Sequence, residues 1–278
     1  MTLPELRSHL RPPGPVLDLH THPNSGLGLC RPASPEEDAR CLLAAAERAG
    51  VAKIAVSSLT PGCPYDPTPE QFRAANEEAR ALRDAAPDRI LPFCYVSPAF
   101  PEAAVAEIDR CVRQHRFCGI KLWVARRATD PGLDAILRRA AELGVPVLQH
   151  AWIKTTGNLE GESFPSDVAD LARRHPQAQI IMAHLNGCGL RGMEEVADCP
   201  NVAIDTSGGD PESGVVEAAV ERLGRHRIVF GSDAPGRHFA VQLAKVLGAD
   251  LPDAIQRDIL WNNAARLLPE WAGVRAGA

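Results

Sequence analysis

Val16-Leu17-Asp18-Leu19-His20-Thr21-His22-Pro23 places two histidines one residue apart at the end of a short apolar run, directly before a proline. In a β-strand, residues i and i+2 point to the same face, so His20 and His22 would project side by side. Pro23 cannot donate to a sheet ladder, which ends the strand there. The pair therefore stands at the carboxyl end of a strand. Alone, H-x-H reads equally well as two surface histidines, and the rest of the chain decides between the readings.

Seven further runs of the same kind follow: 52–58, 90–97, 118–123, 145–150, 179–184, 201–207 and 227–233. They are near-continuously apolar rather than alternating, which suits parallel strands buried on both faces. Helical patterns lie between them, at 34–50, 68–86, 100–115, 130–144, 164–176, 189–200 and 210–224. Many begin with Ser, Thr or Asp near a Pro and end on Gly or Pro, as helix start and stop signals do. Residues 251–271 read as one or two closing helices. Eight strands alternating with helices predict an α/β fold, a (β/α)8 TIM barrel spanning residues 1–278 as one domain. The longest irregular stretches, 57–69 and 151–166, follow strands and would rim the mouth of such a barrel.

A formal charge of -5 and a pI near 6.0 leave no basic footprint for nucleic acid. No apolar run reaches membrane-spanning length, and the mixed polar, proline-rich start does not read as a signal peptide. The 8 cysteines form no C-x-x-C pair, and several sit inside apolar runs. Reduced thiols used as small core residues, in a cytoplasmic protein, are the expected consequence.

The polar residues carry the functional signal by their positions. His20 and His22, Lys121, His150, His184 and Asp233 all fall at or near the last residue of a predicted strand, and in a barrel those ends converge on one face. Core packing does not require this, because buried ionisable groups are costly unless paired or metal-bound. Imidazoles with a carboxylate suit Zn²⁺ or another first-row divalent ion. An ion held with an open position acidifies water, and Asp233 could both bind the metal and take the proton. A carbonyl under attack then needs a donor for its developing charge.

DLHTHP, GIKLW, the His after strand five, AHLNG, DTSG, GSDAPG and WNNAARLL together resemble the amidohydrolase superfamily, in particular the amidohydrolase-2 group of aminocarboxymuconate-semialdehyde decarboxylase-like enzymes. The resemblance spans residues 16–268. It implies a one-metal site, zinc first and manganese or another first-row ion as alternatives, held by His20, His22, His150 and Asp233. It implies a catalytic role for His184, which polarises the substrate or assists proton transfer, beside that of Asp233. Lys121 has three readings: a carboxylated lysine bridging two metals, as in related branches, an unmodified cation gripping a substrate carboxylate, or a structural ion pair. The second is favoured, so Lys121, Trp152 and Arg237 are the candidate substrate-binding residues.

Asp205 is read as structural. Arg126, Arg127, Lys154, Arg191 and His238 follow strands and make a weak case for a carboxylate-bearing small-molecule substrate. Asn186 is read as a turn residue and Cys188 as an inert buried thiol. His9, His115, His175 and His226, in helices or at helix ends, carry no assigned chemistry. Dimers occur in the resembling group, which makes a homodimer the expected assembly. The leading reading is metal-dependent hydrolysis of an amide, ester or lactone. Non-oxidative decarboxylation of a small unsaturated or aromatic acid is the alternative, and an inactive metal-binding scaffold is the third.

Overall fold

A computed structural model of the chain describes residues 2, 5, 11–59, 62, 64–209 and 212–277. The strands are β1 (Leu17–Thr21), β2 (Lys53–Val56), β3 (Ile90–Tyr95), β4 (Gly119–Leu122), β5 (Val147–Gln149), β6 (Ile180–Met182), β7 (Val202–Asp205) and β8 (Ile228–Val229). Neighbours in sequence are neighbours in the sheet, every ladder is parallel, and the order runs β1 to β8. Parallel ladders require a crossover between successive strands. Helices supply it: α1 (Pro35–Arg48), α2 (Pro69–Ala85), α3 (Pro101–Asp109), α4 (Gly132–Leu143), α5 (Pro165–Arg174), α6 (Leu185–Glu195) and α7 (Val215–Leu223), and α8 (Phe239–Leu247) follows β8. This is the expected (β/α)8 barrel.

The sequence places the last strand at 227–233, but β8 keeps only two residues. Beyond Val229 the chain leaves the β7 ladder and turns to β1 and the closing helices. Phe230 N donates to Ile259 O (2.9 Å), Leu19 N to Phe230 O (3.0 Å), Asp233 N to His20 O and His22 N to Ala234 O (both 2.7 Å). These bonds close the ring. Helix α8 is absent from the sequence reading, because FAVQLAKVL is too uniformly apolar to show a polar face. Helix α6 starts at Leu185, ahead of the predicted 189, and its path is broken at Gly189 (φ 58°, ψ -161°). The predicted 210–224 helix begins at Val215, and residues 210 and 211 lie outside the described region, as do Cys63 and His9.

Alternation divides each strand between two cores. Ile54, Ile90, Ile120, Val147 and Ile180 face outward and are covered by Leu42, Phe72, Ile108, Leu137 and Leu171 of the helices. Leu17, Leu19, Leu91, Phe93, Leu148 and Ile181 fill the barrel itself. Burying each such side chain contributes ~1.5–3 kcal/mol. Trp261, Ala264 and Leu268 of the closing helices join this inner cluster beside Leu17 and Cys118 at the strand starts, which plugs one end. The strand carboxyl ends face the other way, and there the interior turns polar.

Local signals fix the helices where the sequence places them. Ser34 caps α1, and Thr68 forms a capping box with Gln71 at α2. Asn76 of α2 grips the edge of β3, accepting from Tyr95 N at 2.8 Å and donating to Tyr95 O at 3.0 Å. It also donates to Glu107 of α3, which accepts from Arg110 at 2.7 Å.

Two stability predictions follow from this packing. A Cβ at Gly119 would stand 2.6 Å from the Phe93 ring, so Gly119→Ala should lower stability by about 1–3 kcal/mol in denaturant titration. Burial opposes ionisation of Glu107, yet Arg110 and Asn76 outweigh it and hold its carboxyl below the ordinary glutamate value. Its stabilisation is therefore full above pH ~4.5 and is lost as pH falls through the depressed folded value. Glu107→Gln should flatten the acid limb of a melting-temperature-against-pH curve.

Candidate metal centre

Six strands deliver imidazoles, a lysine and carboxylates to the polar end of the barrel. A register shift between Asp18 and Thr21 in β1 turns both His20 and His22 toward the interior. Their ring centroids lie 5.1 Å apart. Lys121 comes from β4, His150 and His184 stand just past β5 and β6, and Asp205 ends β7. Asp233 follows β8. His20, Lys121, His150, His184 and Asp205 are all buried, while the Asp233 side chain retains 17% exposure.

Two of these residues sit in the left-handed region, His184 at φ 74° and Asp233 at φ 61°. A non-glycine residue there costs on the order of 1–3 kcal/mol and persists only where its surroundings over-determine it. The determinants are visible. His184 N donates to Asp205 Oδ1 (3.0 Å) and Asp233 N to His20 O (2.7 Å).

Each of the four imidazoles has one nitrogen committed to an acceptor. His20 Nδ1 lies 2.8 Å from Asp205 Oδ2, and a carboxylate can only accept, so Nδ1 carries the proton. His22 Nδ1 donates to the Ser57 carbonyl at 2.8 Å. His150 Nε2 donates to Glu162 Oε1 at 2.8 Å. His184 Nδ1 donates to Ser207 Oγ at 2.9 Å, because the Ser207 hydroxyl proton is itself given to Asp205 Oδ1. The other nitrogen of each ring carries a lone pair: His22 Nε2, His150 Nδ1 and His184 Nε2, and His20 Nε2, which takes a hydrogen bond from Lys121 Nζ. An outer acceptor on every ring is how metal-ligating histidines are oriented.

These lone pairs converge. Asp233 Oδ1 lies 3.4 Å from His22 Nε2 and 3.6 Å from His20 Nε2, too long for a good hydrogen bond. Ligand bonds of roughly 2.0–2.2 Å set two ligand atoms on one ion roughly 3–3.5 Å apart, so this spacing is that of donors sharing a cation. His150 Nδ1 and His184 Nε2 face each other at 3.1 Å. By the bonds above both are acceptors, so that contact requires a shared proton or cation. His20, His184 and Asp205 also come within ligand-sharing distance of one another, but the His20–Asp205 hydrogen bond accounts for that approach. His20, His22 and Asp233 form a donor set that fits a divalent ion; His150, the fourth ligand expected from sequence, lies against His184 and outside that set.

Electrostatics hold the rings in their ligating form. Burial, helped by the neighbouring Lys121 ammonium, pulls His20 down to about 4 against the pull of Asp205. Burial likewise lowers His150 and lowers His184 strongly. Burial opposes ionisation of Asp205 and Asp233, yet the imidazoles around them keep both carboxyls well below their usual range. Lys121 Nζ donates to His20 Nε2 at 2.8 Å, and burial lowers it to about 8 against Asp233 and Asp205. Beneath the site, Asp18 Oδ1 accepts from His20 N and Ser232 N, both at 3.0 Å, joining β1 to the turn that carries Asp233. Burial lifts that carboxyl to about 7.

The remaining candidates divide. The Trp152 ring lies 4.8 Å from His184 and is stacked 6.3 Å from His150, forming a flat wall. Arg237 is exposed at the rim. Arg127 is committed to Asp167 through two hydrogen bonds of 2.9 and 2.8 Å, and Arg126 bonds Asp66 at 3.0 Å. Lys154 bonds Glu162 at 2.7 Å, Arg191 is exposed, and His238 caps α8. Asn186 accepts from Lys245 at 2.5 Å, and the Cys188 thiol is raised by burial, as an inert core thiol should be. His175 pairs with Asp134, and His226 is met by Arg266.

Asp205, read from sequence as structural, is central to the site, and Glu162 and Ser207 were not singled out at all. A carboxylate at the end of a predicted strand was signal enough for Asp205. Glu162 lies in the irregular 151–166 stretch, where no periodicity tells which side chain turns inward.

The model of the amidohydrolase family matches residues 17–269. Comparison with curated protein sequences returns no match. Among solved structures, the chain is similar to a 2,6-dihydroxybenzoate decarboxylase from Rhizobium, at 20% identity and a TM-score of 0.71, covering 91% of this chain and 98% of that one. It is similar to a dihydroxybenzoic acid decarboxylase from a Polaromonas species, solved with bound manganese and 2-nitroresorcinol, at 18% identity and a TM-score of 0.68, covering 91% and 96%. A 4-oxalomesaconate hydratase from Rhodopseudomonas palustris shares 14% identity at a TM-score of 0.68, covering 93% and 97%. The family match over nearly the whole chain, on a barrel with its histidines and aspartates gathered at the strand ends, shows that this chain belongs to the amidohydrolase family.

Proposed function

We propose that the chain is a divalent-metal-dependent enzyme that decarboxylates a small unsaturated or aromatic carboxylic acid. The observation that carries this reading is the buried Lys121 ammonium beside the donor set; an ion taking the His20 Nε2 lone pair would displace its 2.8 Å hydrogen bond and leave the ammonium for a substrate carboxylate. A fixed cation beside a metal site offers two positive centres to one substrate, which suits a carboxylate with an adjacent oxygen. The similar decarboxylases of hydroxylated benzoates support the same chemistry, and the manganese in one of them widens the metal beyond zinc.

His20, His22 and Asp233 would hold the ion, with His150 as the fourth donor through Nδ1. When bound, the ion supplies Lewis-acid charge to the substrate oxygens. Lys121 neutralises and orients the carboxylate, and Trp152 offers a face against which a planar ring can lie. Loss of CO2 breaks a carbon–carbon bond and leaves its electron pair on the ring carbon, which then needs a proton. His184 Nε2, a lone pair at rest, would first take a proton from solvent and then pass it to that carbon, while Nδ1 stays bonded to Ser207. Hydrolysis of an ester or lactone is the second reading, favoured by the partial exposure of Asp233, which could take a proton from water.

Chain stripped by a chelator and reloaded with Mn²⁺ or Zn²⁺ should bind the ion tightly, and His20→Ala or Asp233→Asn should weaken that binding, as read by elemental analysis after dialysis. The loaded chain should release CO2 from 2,6-dihydroxybenzoate or a related acid. His184→Asn should keep the metal and lose about 10²–10⁴-fold in turnover. Release of acid from lactones or esters, with no CO2 from any acid in the panel, would establish the hydrolytic reading instead.

A further inference from the structure

We infer that Glu162 is a positioning residue that fixes the tautomer of His150 and aims its Nδ1 lone pair at the metal site. The inference rests on the proposed metal centre and adds to it a residue outside the β-strands. Glu162 is 1% exposed, and each of its oxygens is committed. Oε1 accepts from His150 Nε2 (2.8 Å), while Oε2 accepts from Lys154 Nζ (2.7 Å) and Leu159 N (3.0 Å). A carboxylate held on both oxygens cannot rotate to follow the ring, so the ring must follow the carboxylate. With Nε2 protonated, His150 can present only an acceptor at Nδ1, and that atom faces His184.

The segment that carries Glu162 is built to hold it there. Asn158 Nδ2 donates to Trp152 O (2.7 Å), Lys154 N to Asn158 Oδ1 (3.0 Å), Trp152 N to Ser163 O (3.0 Å) and Ala128 N to Ser163 Oγ (2.9 Å). Gly161 makes the final approach possible, because a Cβ there would stand 1.9 Å from Val124 O. No side chain fits at 161 without lifting Glu162 away from His150. Lys154, 35% exposed, closes this contact toward solvent. Lys154, one of the cations that make the weak case for a carboxylate-bearing substrate, gives its ammonium to Glu162.

The test compares Glu162→Ala, Glu162→Gln and His150→Ala with the parent chain, using Mn²⁺ alone as the probe. Loss of an outer partner of this kind should weaken Mn²⁺ binding by about 10- to 100-fold in Glu162→Ala. Glu162→Gln, whose amide oxygen still accepts from Nε2–H, should keep the larger part of the affinity. The second readout needs no metal. In proton–nitrogen correlation spectra, His150 should be protonated at Nε2 in the parent chain and become a mixture of tautomers in Glu162→Ala. Unchanged Mn²⁺ affinity and an unchanged tautomer in Glu162→Ala, with binding lost in His150→Ala, overturn the positioning role and leave the metal centre standing. Full affinity in His150→Ala overturns the positioning role and removes His150 from the donor set, leaving His20, His22 and Asp233. If Glu162→Ala does not fold, Glu162→Met, which keeps the length of the side chain and removes the acceptor, carries the comparison, and a parent-like tautomer ratio and Mn²⁺ affinity in it would overturn the role.

Discussion

One buried carboxylate organises the centre of this barrel. Asp205 accepts from the His20 ring through one oxygen, and through the other from the backbone of His184 and Ser207 and from the Ser207 hydroxyl. That single group selects the His20 tautomer, holds His184 in a left-handed conformation and, through Ser207, orients the His184 ring. Placing such a charge at 0% exposure is costly in isolation. It is tolerated because both oxygens accept hydrogen bonds, four in all, and its negative charge makes the site attractive to cations. Glu162 does for His150 what Asp205 does for His20. The same arrangement occurs twice on opposite sides of one cluster.

Much of this was legible in the chain itself. Parallel strands covered on both faces leave continuous apolar runs, so eight strands could be found by hydrophobicity alone. The polar residues that end those runs could then be gathered onto one face by topology. His20, His22, Lys121, His150, His184 and Asp233 were identified in that way, before any geometry was known. Their relationships were not legible. Which nitrogen of each ring is free depends on acceptors as distant in sequence as Asp205 is from His20. The arginines and Lys154 after the strands looked equally available from sequence. Structure gives Arg127 to Asp167 and Lys154 to Glu162.

The fold errors have physical causes as well. Strand eight was read too long because its residues are apolar for a different reason, packing against the closing helices and β1 rather than extending a ladder. Helix α8 escaped notice because its exposed side carries Val241 where a charged residue would usually mark the face. In both places tertiary contacts override the local pattern.

The seam between the first and last strands is drawn from the same residues as the candidate centre. Asp233 N to His20 O and His22 N to Ala234 O are at once the bonds that shut the ring and the bonds that set two donor side chains in place. Drift in sequence along this joint would trade away architecture and chemistry together, which leaves little freedom there. The connections after β2 and β4 make none of these ring-closing bonds. New specificities in relatives of this chain would be expected to arise on those connections, while the joint itself stays nearly fixed.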